Sequence, residues 1–236
     1  MEITKYKEPF EYYIIDNFIE EKLAKQLSNE FIPYESKNWF YYNNPLEIKK
    51  TLNNWNFFPP ETYRFFQHLN SLEFLDEIKK ITNEKILYPD IGLHGGGWHI
   101  HGNGGKLNIH LDYSKHPKLN LKRKYNLILY LSENWNLNWG GNLEFWSGNN
   151  KTPEKLISKV DCIFNRAILF DASKNSWHGF PEKIVCPKNQ YRKSIAVYYM
   201  TDLDNNTEER KRALYSPTKE QKNDLEILEL IKERSM

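Results

Sequence analysis

Apolar side chains in residues 1–93 recur mostly every three or four positions, which is the spacing of one helix face. This spacing predicts helices over Ile19–Phe31, Glu61–Asn70 and Leu72–Ile81. An aromatic and β-branched stretch, Phe10–Ile15, predicts a strand before the first helix. The Asn-rich segment 33–60 has no clear period, so it is predicted to be irregular.

The pattern changes at Gly95-Gly96-Gly97, after which short apolar stretches alternate with turns rich in Gly, Asn and Pro. Short strands separated by such turns are typical of a double-sheet β-barrel. The predicted strands are Trp98–His101, Lys106–Asp112, Tyr125–Leu131, Asn142–Trp146, Ala167–Asp171 and Ser194–Met200. The C-terminal stretch returns to helical spacing.

These elements predict one α+β domain with a mainly β core over residues 1–236. Residues 1–93 are expected to form a helical support region, 94–201 the barrel core and 202–236 a helical tail. A chain of 236 residues is long enough for one well-buried core. No repeat, low-complexity tract or linker divides it.

Composition narrows the classes of partner. The hydrophobic fraction of 39% is ample for a globular fold. The 33 basic and 31 acidic side chains give a net charge of only +2, so no nucleic-acid partner is expected. No signal-peptide core and no uninterrupted run of 18 apolar residues is present, which predicts a cytoplasmic protein without a membrane partner. The sequence indicates no oligomeric state.

The strongest chemical signal is His110-Leu111-Asp112 together with His178. Side chains at positions i and i+2 of a strand point to the same side, so His110 and Asp112 converge while Leu111 faces away. His178 follows a distant apolar strand, near the same barrel rim. Two imidazoles and a carboxylate suit Fe(II) and leave coordination positions open, although zinc accepts the same ligands.

Arg192 lies on a later predicted strand and supplies a planar, two-pronged donor that fits a carboxylate. A cation at this place predicts a bound cosubstrate carboxylate, and hence an iron- and 2-oxoglutarate-dependent oxygenase. Other polar positions are weaker signals. The His99/His101 pair is more often core or pocket lining than metal ligand, and Asn126 is equally compatible with pocket lining and core filling.

Four ordered segments resemble the prolyl-4-hydroxylase-like branch of the 2-oxoglutarate/Fe(II) oxygenases. KLNIHLDY resembles the first-ligand strand, and RKYNLILYLSENWNLNWGGNLEFW the following strands with their Gly-Gly turn. FNRAILFDASKNSWHGFPE resembles the second-histidine segment, and YRKSIAVYYM the strand that anchors the cosubstrate. The N-terminal PFEYYIIDNFIEEKLAKQL is similar to the helical lead-in. The resemblance therefore spans most of the chain.

The resemblance implies a double-stranded β-helix, a jelly-roll or cupin-like barrel, flanked by N-terminal helices and a C-terminal helix. It implies Fe(II), 2-oxoglutarate and O₂ as cofactors, supported by ascorbate. The implied iron ligands are His110, Asp112 and His178, and the implied 2-oxoglutarate residues are Arg192, Ser194 and Tyr130. Arg123 matches a basic position near the substrate entrance, and His101 and Asn126 are further candidates on the substrate side. Tyrosines expected upstream of the ligand strand are replaced, which argues against a collagen-like substrate.

The predicted function is hydroxylation of a prolyl residue or another aliphatic C–H group, with release of succinate and CO₂. The substrate is a peptide, a protein or a small molecule. The alternative is a non-catalytic, metal-containing barrel that binds a ligand or partner. A zinc hydrolase ranks lower because the chain has no HExxH-like base. The basic loop 115–124 is either a lid over the site or an ordinary solvated loop.

Overall fold

The computed structural model describes residues 2–205 and 207–235. Within these ranges the chain forms four α-helices and fourteen strands. The helices are α1 (Glu21–Asn29), α2 (Pro60–Leu69), α3 (Leu72–Thr82) and α4 (Leu225–Ser235). The strands are β1 (Glu2–Tyr6), β2 (Tyr12–Asp16), β3 (Phe40–Asn44), β4 (Glu47–Leu52), β5 (Tyr88–Pro89), β6 (Gly97–His101), β7 (Lys106–Leu111), β8 (Lys122–Tyr130), β9 (Leu143–Gly148), β10 (Pro153–Val160), β11 (Ala167–Asp171), β12 (Trp177–Phe180), β13 (Arg192–Thr201) and β14 (Leu214–Tyr215).

The described strands form one large, curled antiparallel sheet. Its order is β1-β2-β11-β8-β13-β6-β4-β7-β12-β9-β10, with β14 paired to β7, β3 to β4 and β5 to β13. The strands that carry the predicted site, β7, β12, β8 and β13, come from distant parts of the chain. Curling of the sheet turns one of its faces into a barrel interior.

Strand alternation divides the core into two parts. On β13, Ile195 and Val197 pack with the helices in the largest apolar cluster, whereas Ser194 and Ala196 line a cavity inside the barrel. β8 repeats the division, since Leu127 lies on the helix side. The helices therefore support one face of the sheet and leave the other free for polar chemistry.

The expected mainly β core with flanking helices is confirmed, and the four helices of the described residues lie where apolar spacing places them. Residues 1–93 nevertheless contribute strands as well as helices. The prediction that 33–60 is irregular was wrong, because 40–52 forms the β3–β4 hairpin and β4 joins both β6 and β7. The tail also contains β14. None of the helices in the described ranges has the length and apolar character that crossing a membrane requires.

Candidate metal centre and active-site cavity

Antiparallel pairing of β7 with β12 brings the predicted metal ligands together. His110 and His178 are direct partners in this register, and Asp112 follows the end of β7. One nitrogen of each imidazole and one oxygen of the carboxylate lie within 4.8 Å of one another, and no other group in residues 2–205 and 207–235 meets the same criterion for a metal site. All three side chains are buried.

Backbone carbonyls orient both imidazoles. Nδ1 of His110 lies 3.0 Å from the Asn108 carbonyl, and Nδ1 of His178 lies 2.8 Å from the Ser176 carbonyl. A carbonyl only accepts, so each Nδ1 carries the proton and each Nε2 keeps a free lone pair. Burial and the neighbouring His110 lower the pKa of His178 to about 4, so it is neutral at pH 7. This donor set fits a divalent metal such as Fe(II).

The third candidate ligand, Asp112, is held by Arg123. Nη1 of Arg123 lies 2.9 Å from Oδ2 of Asp112. Burial acts to raise the pKa of Asp112, but Arg123 and the two imidazoles lower it, and the net pKa lies well below its usual value. The carboxylate is therefore ionised. Both oxygens lie near an imidazole, Oδ1 at 3.6 Å from Nε2 of His110 and Oδ2 at 3.8 Å from Nε2 of His178.

Arg123 is itself fixed from both sides. Its guanidinium carbon lies 3.4 Å from the ring centres of both Tyr113 and Tyr198, and the side chain is only 1% exposed. Nη2 donates to the His94 carbonyl at 3.3 Å. The position expected at the substrate entrance thus lines the cavity, with its charge directed at Asp112.

Arg192 lies in the same cavity and is 3% exposed. Nε donates to the Gly141 carbonyl at 2.7 Å, and Nη2 to the Tyr130 hydroxyl at 3.2 Å. The guanidinium carbon lies 4.6 Å from the ring centre of Phe180. No carboxylate in the described part of the chain forms an ion pair with it. A buried cation without a counter-charge is costly, so this cavity favours an anionic ligand.

The remaining predicted residues surround Arg192 or the metal ligands. Ser194 and His101 line the cavity, and Arg192 and His101 are partners in the β13–β6 pairing. Both His101 nitrogens are buried without a hydrogen-bond partner. Burial and Arg192 lower the pKa of His101 well below its usual value, so the ring is neutral.

Asn126 also lines the cavity, with its amide nitrogen 3.5 Å from Asp112. Tyr130 lies behind this wall and contacts Arg192.

Two contributors to the site are absent from the predicted set. Gly141 adopts a φ of +79°, and a Cβ there would lie 2.7 Å from Cδ of Arg192. The sequence indicates only a turn at this Gly-Gly pair, yet the absence of a side chain at Gly141 makes room for Arg192. Tyr215 of β14 stacks on His110, with ring centres 5.2 Å apart. A two-residue strand leaves no periodic pattern from which to predict it.

The cavity has a volume of about 600 Å³. Pockets of roughly 300–1,000 Å³ hold drug-sized ligands, so there is space for a small cosubstrate and part of a substrate. Arg192 and Ser194 lie in one part of the wall, and residues of the β3–β4 hairpin and of the C-terminal segment contribute to it elsewhere. The metal ligands line the same cavity.

Residues 96–200 match the family model described as the 2OG-Fe(II) oxygenase superfamily. This segment is a 2OG-Fe(II) oxygenase domain. It extends from β6 to β13 and contains every residue of the predicted site. The superfamily uses Fe(II), 2-oxoglutarate and O₂, so the expectation that the protein is an oxygenase with these cofactors is confirmed.

Solved structures share the fold of the oxygenase. A Pseudomonas putida prolyl-4-hydroxylase matches with a TM-score of 0.53 and 12% identity, covering 80% of this chain and 92% of the other. A prolyl hydroxylase from Trichoplax adhaerens, in complex with a hypoxia inducible factor peptide fragment, gives 0.57 and 18%, covering 80% and 83%. HygX from Streptomyces hygroscopicus, with nickel, 2-oxoglutarate and hygromycin B bound, gives 0.55 and 13%, covering 80% and 82%.

These likenesses confirm the expected jelly-roll fold. A search of the curated proteins finds no significant match to the oxygenase.

Proposed function

We propose that this oxygenase hydroxylates an aliphatic C–H group, with a prolyl residue as the first candidate. It would consume 2-oxoglutarate and O₂ and release succinate and CO₂. The observation that carries the proposal is the pairing, in one cavity, of a two-histidine, one-carboxylate cluster with the buried and unpaired Arg192 guanidinium. The ligand cluster fits a metal ion that keeps open coordination positions, and the guanidinium fits a carboxylate.

In the proposed site, His110 and His178 bind Fe(II) through Nε2 and Asp112 through one carboxylate oxygen. Bound Fe(II) supplies the activation of O₂ that is coupled to oxidative decarboxylation of 2-oxoglutarate. Over the whole reaction, one oxygen atom of O₂ enters the substrate as a hydroxyl group and the other enters succinate. The chain contributes fixed ligand geometry, because the three ligand side chains are buried.

Arg192 would bind the distal carboxylate of 2-oxoglutarate. Its Nε and one Nη2 proton are already committed to Gly141 and Tyr130, which fixes the plane of the guanidinium and leaves the remaining donors free. Tyr130 accepts from Arg192 and keeps its own proton to donate. Ser194 would add a hydroxyl donor from the same face of β13.

Arg123 would act as a positioning residue in this scheme. Its ion pair occupies Oδ2 of Asp112, so Oδ1 would be the oxygen offered to the metal, and the two tyrosine rings prevent Arg123 from swinging into the cavity. Asn126 keeps a buried amide oxygen without a partner, so it would accept a hydrogen bond from substrate. His101 would line the cosubstrate end of the cavity, next to Arg192.

The solved structures favour a prolyl or peptide substrate but leave other substrates open. The resemblance to prolyl hydroxylases and the peptide bound to the Trichoplax enzyme favour it. HygX, with hygromycin B bound, shares the fold equally well. Fold likeness does not fix the substrate, so the substrate side chains must decide it.

The test is succinate release from 2-oxoglutarate in the presence of Fe(II), ascorbate, O₂ and a proline-containing peptide library. Mass spectrometry then seeks a gain of one oxygen in a peptide. The wild-type oxygenase should release succinate, and Asp112→Ala and His178→Ala should release none. A protein that binds metal and 2-oxoglutarate yet forms no succinate with any substrate would support the binding-module alternative and contradict the proposal.

A further inference from the structure

The wall of the cavity carries far more positive than negative charge. Six cationic side chains and only two carboxylates line it among the described residues. The cations are Lys49, Arg123, Arg192, Lys211, Arg212 and Arg234, and the carboxylates are Glu47 and Asp112. A divalent metal and dianionic 2-oxoglutarate cancel each other, so an excess of four positive charges remains. The whole chain has a net charge of only +2, so the cationic character is concentrated here.

Four of these six cations have assigned partners, one of them Arg192 with the cosubstrate carboxylate proposed for it. Arg123 pairs with Asp112, and both Lys49 and Arg234 pair with Glu47, at 2.9 Å and 2.6 Å. Lys211 and Arg212 are different. Both are exposed, and neither forms an ion pair with any carboxylate in residues 2–205 and 207–235.

The backbone around Lys211 and Arg212 is fixed against the metal strand. The Arg210 carbonyl accepts from the Ser114 amide at 2.8 Å, and Nε of Arg210 donates to the Asp112 carbonyl at 2.8 Å. On the other side, Tyr215 pairs with His110. The two free cations are therefore held between a residue that touches one metal ligand and a residue that stacks on another.

The β3–β4 hairpin contributes an aromatic part of the same wall. Phe40 and Tyr42 line the cavity, and Phe40 is 62% exposed, so its ring is accessible to a ligand. β4 meets β7 at Leu107, whereas β14 meets it at Leu111. The two places at which these segments pair with β7 are four residues apart, roughly 13 Å along the strand, so a ligand that lies along β7 and contacts both segments is extended.

Resting on the proposed function, we propose that the natural substrate is an extended acidic peptide segment. Its carboxylates pair with Lys211 and Arg212, an apolar side chain packs on Phe40, and the residue to be oxidised reaches the metal between them. Complementary charge across such a surface selects the partner and speeds encounter. We choose a peptide because the two segments contact β7 roughly 13 Å apart, and a small anion would not contact both.

The experiment measures binding rather than turnover. Fluorescein-labelled peptides with a central proline, flanked by Asp in one and by Asn in the other, are titrated by fluorescence anisotropy into Mn(II)-loaded protein with 2-oxoglutarate and without O₂. The Asp peptide should bind about tenfold more tightly, the size expected for two exposed ion pairs, and added salt should reduce the difference. The double variant Lys211→Glu/Arg212→Glu should abolish it.

The matched control is Lys151→Glu/Lys188→Glu, which makes the same change of net charge at exposed lysines outside the cavity lining and should keep the preference. Equal binding of the two peptides by wild-type protein overturns the proposal. Displacement of the Asp peptide by glutamate or inorganic phosphate at comparable concentration also overturns it, in favour of a small anionic ligand. Because no turnover is needed, failure here is separate from a failure to release succinate.

Discussion

Replacing Arg192 by Met tests the proposed cosubstrate site in depth. Met has a similar reach and no charge, so the cavity keeps its shape and loses its buried cation. Removing one partner of a buried charge pair costs roughly 2–5 kcal/mol. At about 1.4 kcal/mol per factor of ten, the dissociation constant for 2-oxoglutarate should rise about 30-fold to 5,000-fold.

The stability of the ligand-free protein should respond differently. The change removes the hydrogen bonds to Gly141 and Tyr130, each worth about 1 kcal/mol, but also removes an unpaired buried cation. These effects oppose each other, so the free energy of unfolding should change by less than about 2 kcal/mol. A large loss of affinity with a small change in stability is the signature of a ligand-binding charge.

Isothermal titration of 2-oxoglutarate into Mn(II)-loaded protein without O₂ measures the affinity, and urea denaturation measures the stability. Lys193→Met is the matched control, since Lys193 is the next residue of β13 and donates instead to the Ser28 carbonyl on the helix side. It should leave the affinity unchanged. An Arg192→Met protein that binds 2-oxoglutarate within threefold of wild type would refute the assignment.

Three further changes have defined outcomes. Arg123→Met frees Asp112 from its ion pair and should weaken Mn(II) binding about 10-fold to 100-fold, measured by competition with a chelator. Gly141→Ala places a methyl group 2.7 Å from Arg192 and should raise the 2-oxoglutarate dissociation constant while Mn(II) affinity is unchanged. Glu47 is buried, which acts to raise its pKa, but two cations lower it to about 2. Glu47→Gln should therefore cost roughly 3 kcal/mol of unfolding free energy at pH 7, and the difference from wild type should shrink as the pH falls from about 4.5 towards 2.

A different result would contradict each of these three predictions. Unchanged Mn(II) affinity in Arg123→Met would mean that the ion pair does not position the carboxylate. Loss of Mn(II) binding in Gly141→Ala would indicate general disruption rather than a displaced guanidinium. A Glu47→Gln effect that does not vary between pH 7 and pH 3 would show that the carboxylate charge does not contribute to stability.

Much of the site was predictable because strand alternation is a local rule. His110 and Asp112 had to share a face once residues 106–112 were predicted as a strand, and the structure places them together. The meeting of His178 with that strand depends on a pairing of β7 with β12, which local pattern does not encode. There the family resemblance supplied what periodicity could not.

Several of the strands that were not predicted lack an apolar signature, although β12 is buried along its whole length. β10 carries Glu and two Lys at exposed positions, and β1 is exposed along its whole length, so neither shows a continuous buried face. The β3–β4 hairpin is rich in Asn and aromatic residues, so its sequence does not show a regular alternation of apolar and polar side chains. β14 is defined only by its pairing with β7. The parts of the cavity wall formed by the β3–β4 hairpin and by the C-terminal segment with β14 therefore lie where the sequence had predicted no strands.

The most direct test of the account is an anaerobic titration of Fe(II) and 2-oxoglutarate, followed by visible absorption. A 2-oxo acid chelating Fe(II) gives a charge-transfer band that neither component gives alone. We expect this band at one equivalent of Fe(II) in the wild-type oxygenase, its loss in Asp112→Ala and His178→Ala, and its appearance only at much higher 2-oxoglutarate in Arg192→Met. A wild-type protein that forms no band, or a band that survives in Asp112→Ala and His178→Ala, would contradict it.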